Sequence, residues 1–319
     1  MSVLSSMYRA SQPTVAVELT STRVSAASVE MRAKGAVVSA HAVEALPPGA
    51  LAPSLTTSNV RDQGAIVSAL GRVLDQIGGR PRRVGLVVPD SVAKVSIVRF
   101  EQVPGRRQDL DQLIRWQVKK TAPFPIEDAQ VSFAPGLTSS DGHEFIVSLA
   151  RREVIEEYER VSIAVGAHPG LVDLSTFSVV NAVLAGTPGA GDWLLVHVSA
   201  DYASIVILRG EHPIFFRNRT SDGDGTLIDL VHQAAMYYED RLSGSGFGRV
   251  MLVGAGGTMQ TGELEQLRRG LEARLARPIE ALDPRSAATL TDRLTASAPL
   301  LDTLAPLVGL LVRGQEVSA

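Results

Sequence analysis

The chain contains no cysteine, which excludes disulfide staples, thiolate nucleophiles and cysteine-bound metals and suits a reducing compartment. Aromatic residues are scarce, at 5%, so a core must be built from aliphatic side chains. Neither sign of charge prevails: 31 Lys and Arg against 34 Asp and Glu leave a formal net charge of -3 over 319 residues. That removes the broad basic field on which nucleic acid or an anionic bilayer would settle. No apolar run nears the roughly 20 residues of a membrane-spanning helix. Stretches such as 193–196 and 203–208 are strand-sized. Residues 1–12 are polar, carry Arg9 and lack the apolar centre of a signal peptide. The expectation is a cytoplasmic protein that meets a membrane only through a partner.

Motifs are missing too. His41, His143, His168, His197, His212 and His232 show no metal-ligand spacing. No Gly-x-x-x-x-Gly-Lys-Ser/Thr phosphate loop occurs, and the glycines of 244–248 precede a strand pattern where a dinucleotide fingerprint would follow one. Asp222, Gly223, Asp224 and Gly225 suggest a calcium loop, but Gln233 stands where its bidentate Glu is required. Arg80, Arg82, Arg83, Arg106 and Arg107 read as solvated surface. No catalytic residue and no metal ligand is assigned.

What the chain does have is length for two domains of about 150 residues each, with 45% hydrophobic residues to fill them. Three β-patterned runs open it, at 14–20, 23–30 and 35–45, followed by a helical pattern at 61–78 and a buried strand at 83–88. The same order returns after residue 190: strands at 192–199, 203–209 and 213–219, a helix at 226–242 and a strand at 248–253. A unit repeated in this way makes two mixed sheets flanked by helices, an α/β fold. Extra material at about 90–149 patterns as a small α+β insertion: strands 94–100, 130–134 and 144–149 with a helix at 109–122. A helix at 151–165, a strand at 170–174 and a helix at 176–184 complete the first domain. The limits expected are 1–187 and 188–319, with a hinge at 186–191 around Pro188. In the second domain a helix at 263–275, a strand at 278–282 and a final apolar helix at 303–312 follow. Pro306 falls in the first turn of that last helix, which is expected to pack back on the first domain.

Arg115, Trp116 and Gln117 on a helix, running into Ala122, Pro123, Phe124, Pro125, Ile126, Glu127 and Asp128, resemble the signature of the PilM family, actin-like cytoplasmic components of type IV pilus assembly. The strand ending Leu86, Val87, Val88, Pro89, the passage from Leu171 to Phe177, and Leu252 through Gly257 fit the same pattern. The resemblance runs from about Val15 to Val312. It implies a two-domain actin-like (duplicated ribonuclease H-like) fold. It also implies a partner: the cytoplasmic tail of a PilN-like inner-membrane protein. On the residues alone, Pro123 ends the helix and Phe124 sits on a stiff Pro-Phe-Pro corner. That corner either fills the insertion's core or shapes a peptide groove. Arg115, Trp116, Phe124 and Pro125 are the candidate contacts.

An actin-like cleft implies ATP with magnesium, held by two hairpin turns and a glycine turn. The candidate residues here are Glu18, Thr20, Ser21 and Thr22 in the first turn, Ser199 in the second, and Gly254, Gly256 and Gly257 in the third. Thr20 replaces the family's bare glycine and His197 its second acidic residue. A neutral imidazole is a poor magnesium ligand, and the hydrolytic water lacks an orienting carboxylate. Two of three elements depart, so the expectation is weak or absent ATP binding and little hydrolysis. The glycine turn, which suits a nucleotide if it enters a helix, is equally explained as a tight turn. The alternatives are an active actin-like ATPase, or a relative of the type II secretion L protein or of FtsA.

Overall fold

In the computed structural model, which describes residues 13–33, 35–79, 83–187, 191–292 and 294–313, side-chain alternation decides what each strand faces. β1 (Val15–Leu19) turns Val15, Val17 and Leu19 to one core and Ala16 to another. Glu18 therefore shares the Ala16 side. β2 (Arg23–Arg32) and β3 (Gly35–Ala45) extend the meander. α1 (Gln63–Gln76) starts where the Asp62 carboxylate accepts from the Ala65 amide at 2.9 Å, and buries Ile66, Leu70, Val73 and Leu74. β4 (Arg83–Val88) then returns parallel to β1.

The insertion follows: β5 (Ala93–Phe100), α2 (Arg107–Lys119), β6 (Ala129–Ser139) and β7 (Gly142–Arg151), with sheet order β5-β7-β6. In β7, Phe145, Val147 and Leu149 pack with Ile114 and Val118 of α2. Ile146, Ser148 and Ala150 point to the opposite side. α3 (Arg152–Ala164), β8 (His168–Leu174) and α4 (Ser175–Gly186) complete this half. Of the hinge expected at 186–191, Gly186 ends α4 and residues 188–190 lie outside the described residues.

The second half comprises β9 (Asp192–Val198), β10 (Tyr202–Arg209), β11 (His212–Thr220), α5 (Leu227–Arg241), β12 (Arg249–Val253), α6 (Thr261–Leu275) and β13 (Glu280–Ala281). Then come β14 (Thr289–Leu290) and α7 (Ala298–Val312). The first sheet runs β14-β3-β2-β1-β4-β8 and the second β11-β10-β9-β12-β13. Leaving β14 aside, the two orders correspond strand for strand. In each, the opening meander is antiparallel and the later strands are parallel. β14 is an addition that alternation could not reveal, being two residues long.

Two helices lie between the sheets. α4 packs Val179, Val180, Ala182 and Val183 against Trp193, Leu195, Val206 and Met251 of the second sheet. α7 lays Leu304, Leu307, Val308 and Leu311 beneath Ala16, Ala27 and Val87 of the first. The helices cross at Gly309, where an added Cβ would stand 1.7 Å from the Ser178 carbonyl oxygen. α7 is longer than the spacing suggested. Ser297 caps it and Pro299 occupies its first turn, so Pro306 sits in the interior instead. There Pro306 withholds the amide that would bond the Asp302 carbonyl. Among the described residues no helix is long and apolar enough to cross a membrane.

Candidate functional site: a closed cleft and an open groove

Glu18 and His197 hold equivalent positions, one residue before the end of β1 and of β9, on faces turned toward the space between the halves. Both are buried. Glu18 accepts from Ser175 Oγ at 2.9 Å and Ser25 Oγ at 3.4 Å, and Arg23 approaches it to 3.8 Å. Beside this pair lies a network that sequence reasoning missed. Asp90, wholly buried just past β4, accepts from the Thr176 amide at 3.0 Å, from Thr176 Oγ1, and from Ser204 Oγ at 2.5 Å. Ser204 in turn accepts from Asn218 at 2.9 Å. With its hydrogen given to Asp90, the Thr176 oxygen accepts from His197 Nδ1 at 2.7 Å, which fixes the histidine tautomer. Asp90 belongs to the first half and Ser204 and His197 to the second, so the chain fastens its halves with buried hydrogen bonds. Burial raises the Asp90 pKa, and the bonds from Ser204 and Thr176 oppose that rise.

The glycine turn is occupied from within. The Asp302 carboxylate, on α7, accepts from the Gly254 amide at 3.1 Å and the Gly256 amide at 2.8 Å. Burial raises its pKa, opposed first by those two amides. Gly254 has φ 84°, and a Cβ there would meet the Val198 carbonyl oxygen at 2.2 Å, so only glycine lets this turn close on β9. The turn does not enter a helix directly, as the sequence suggested. A single 3-10 turn, Ala255–Gly257, intervenes, and α6 begins later behind a Gln260–Glu263 capping box. Asp302 carried one local signal: it is the sole charged residue of α7.

The remaining turn candidates are placed as follows. Thr20 closes its own hairpin, its hydroxyl donating to the Arg23 carbonyl and accepting the Arg23 amide, both at 3.1 Å. Thr22 Oγ1 lies 3.5 Å from Thr20 Oγ1. Ser21 Oγ and Arg23 Nε are buried without a hydrogen-bond partner among the described residues. The Ser199 amide donates to the Tyr202 carbonyl at 2.8 Å. Gly257 lies across the cleft from Arg23, whose Nη1 would be 3.8 Å from a Cβ at that glycine. The structure thus gathers Glu18, Thr20, Gly254, Gly256 and Gly257 around one cleft, and the Gly254 and Gly256 amides, Glu18 and His197 already have partners inside the chain.

Burial lowers the pKa of His197 to about 4, and that of His41 likewise to about 4, against an ordinary 6.5. Between these values the unfolded chain binds more protons than the folded one. Stability is therefore complete above pH 6.5 and drains away as pH falls toward 4. For each histidine the loss is on the order of 3 kcal/mol. Thermal unfolding followed down through this window should show a fall in Tm, opposed by the raised Asp90, Asp173 and Asp302 carboxyls, and His197→Gln and His41→Gln should each make Tm fall less steeply than in wild type.

A second feature opens to solvent. A groove of about 390 Å³ runs between the insertion and the first sheet. Ser132, Ala134, Ile146 and Ser148 line one wall, and Leu171, Val172, Phe177 and Leu184 the other. β6 and β8, which flank it, are each the outermost strand of their sheet. Arg313, at the end of α7, pairs with Asp173 in this lining at 2.9 Å. The contacts expected from sequence lie elsewhere. Trp116 is 60% exposed on α2, with the Lys120 ammonium 5.2 Å above its ring. Arg115 pairs with Asp111 at 2.7 Å. Phe124 packs into the insertion's core and Pro125 is exposed beside it. Trp116 and Phe124 belong to the α2 side of the insertion sheet, and the groove to its other side.

A family model described as type IV pilus assembly protein PilM matches residues 16–244. The solved PilM-PilN type IV pilus biogenesis complex superposes with a TM-score of 0.80 over 95% of this chain and 99% of that one, at 19% identity. A Bacteroides thetaiotaomicron protein with an actin-like ATPase fold gives 0.47 at 10% identity, covering 89% of this chain and 95% of that one. The cytoplasmic domain of EpsL, an inner membrane component of the Vibrio cholerae type II secretion system, gives 0.46 at 12% identity, covering 75% and 81%. The fold is shared with the solved PilM-PilN complex, and with a family match that spans most of its length, the chain belongs to the PilM family of type IV pilus assembly proteins.

Proposed function

We propose that this chain is a scaffold of the inner-membrane pilus assembly complex that holds the cytoplasmic tail of a PilN-like membrane protein and so meets the membrane through that partner. Membership of the PilM family and the likeness to a chain of the PilM-PilN complex support a partner of this kind. The observation that carries the reading is the groove between insertion and first sheet. An extended peptide satisfies its backbone by adding to an outermost strand, and apolar pockets beside such a strand take alternate side chains. β8 offers the strand, and Ile146, Leu171, Phe177 and Leu184 the apolar wall. The α2 face, with Arg115, Trp116, Phe124 and Pro125, is the second place a tail would dock. It presents one exposed ring on a helix surface, where the groove offers two facing walls. In this reading the protein assembles by binding and carries no catalytic residue.

The test is a labelled peptide of the N-terminal tail of the PilN-like protein encoded in the same genome, titrated by fluorescence polarisation. Wild type should bind saturably. Ser132→Trp or Ala134→Trp, each filling the groove from β6, should weaken binding by about tenfold or more, and Trp116→Ala should leave it unchanged. Loss of binding in Trp116→Ala alone would move the docking site to α2, and no binding to wild type would end the adaptor reading.

A further inference from the structure

Converging backbone amides suit an anion, and buried carboxylates a cation. In this chain both complements are supplied by side chains. The Asp302 carboxylate spans the Gly254 and Gly256 amides, one oxygen to each, at 3.1 and 2.8 Å. A Cβ on Gly256 would stand 2.8 Å from Asp302 Oδ2, so this carboxylate is seated against the bare backbone itself. Across the cleft the Arg23 guanidinium lies 3.8 Å from Glu18 and reaches toward Gly257. Behind them the bonds of Asp90 to Thr176 and Ser204, and of Thr176 to His197, already tie the two halves.

We propose that Asp302 is a built-in substitute for the anion of a cleft ligand, with Arg23 in the place of its cation, so that the two halves stay closed with no nucleotide. Three features support the assignment. Asp302 is the one charge on a helix that is apolar apart from it and Thr303, so its position needs a reason beyond helix packing. It accepts from two amides of one turn, the geometry by which a short backbone nest takes an anion. Pro306, four residues on, withholds an amide from the Asp302 carbonyl, which loosens the turn of α7 carrying the side chain. The cleft is thereby a structural joint that needs no cofactor, whatever occupies the groove on the insertion.

The proposal is tested on the full chain by thermal unfolding of wild type, Asp302→Ala and Asp302→Asn. Each is measured in chloride, in inorganic phosphate at matched ionic strength, and with MgATP at millimolar concentration. Wild type should melt at the same temperature in all three media and show no saturable MgATP binding by equilibrium dialysis. Asp302→Ala should melt several degrees lower in chloride, and phosphate should restore part of that loss to the variant and none to wild type. Asp302→Asn keeps the shape but not the charge, and should show the same pattern in weaker form; it decides the matter if the alanine variant does not fold. Micromolar MgATP binding by wild type would overturn the idea. So would an Asp302→Asn protein with wild-type melting and no response to phosphate.

Discussion

Gly309→Ala should cost on the order of 3 kcal/mol or more, enough to leave little folded protein at 37 °C in a domain of ordinary stability. The reason is geometric. The new Cβ would sit 1.7 Å from the Ser178 carbonyl oxygen and 2.9 Å from the Ala182 amide nitrogen, all of it backbone of α4 that no rotamer change can move. The helices must part, and they carry the apolar layers beneath the first sheet and against the second. Gly262→Ala is the matched control: it lies in the first turn of α6, with nothing within 4 Å of the added methyl, and should be neutral or gain up to about 1 kcal/mol. Urea unfolding of both variants checks the contrast. A Gly309→Ala protein with a midpoint near wild type would mean that the helices do not cross so closely.

Asp90→Ala should be the most damaging polar substitution, by roughly 3–5 kcal/mol. It strands three buried donors at once: the Thr176 amide, the Thr176 hydroxyl and the Ser204 hydroxyl. It also releases the Thr176 oxygen from the orientation that receives His197. Asp90→Asn keeps an acceptor but adds a donor where only donors point, so it should lose about half as much. Because the stranded groups come from both halves, the damage should appear as loosening between them. Limited proteolysis at the segment joining the halves should accelerate in Asp90→Ala more than in His197→Gln. An Asp90→Ala protein with wild-type stability and proteolysis would remove this network from the account of how the cleft is held.

How much of this was legible depends on the distance over which each feature is determined. The repeated meander is written locally. Val15, Val17 and Leu19 alternate with Ala16 and Glu18 as Leu194, Val196 and Val198 alternate with Leu195 and His197, and the face of each strand follows. The helix at 63–76 is equally local, from its Asp62 cap to its apolar stripe. Glu18 and His197, each near the end of a buried strand, were singled out only through the family resemblance. Asp90 has the same property, following Val88 and Pro89, and was missed because its partners Thr176 and Ser204 lie 86 and 114 residues away. The bond from Gly254 to Asp302 spans 48 residues and has no pattern to announce it. The start of α7 was misplaced because an apolar stripe shows where a helix packs and not where it begins. Ser297 with Pro299 was the signal for the start. The Pro-Phe-Pro corner illustrates the converse. Its stiffness was legible, but which side of a three-stranded sheet it occupies became visible only once α2 had chosen a face.

The order of synthesis gives α7 a further importance. The underside of the first sheet, with Ala16, Ala27, Val38 and Val87, is covered by residues 304–312, which are synthesised after the strands of the second sheet. The first half therefore emerges without its edge strand β14 and bare on one side, and must wait through translation of the second sheet for both. The first sheet is thus covered only after the strands of the second have been made, and a gene cut between the halves would separate a sheet from its own floor.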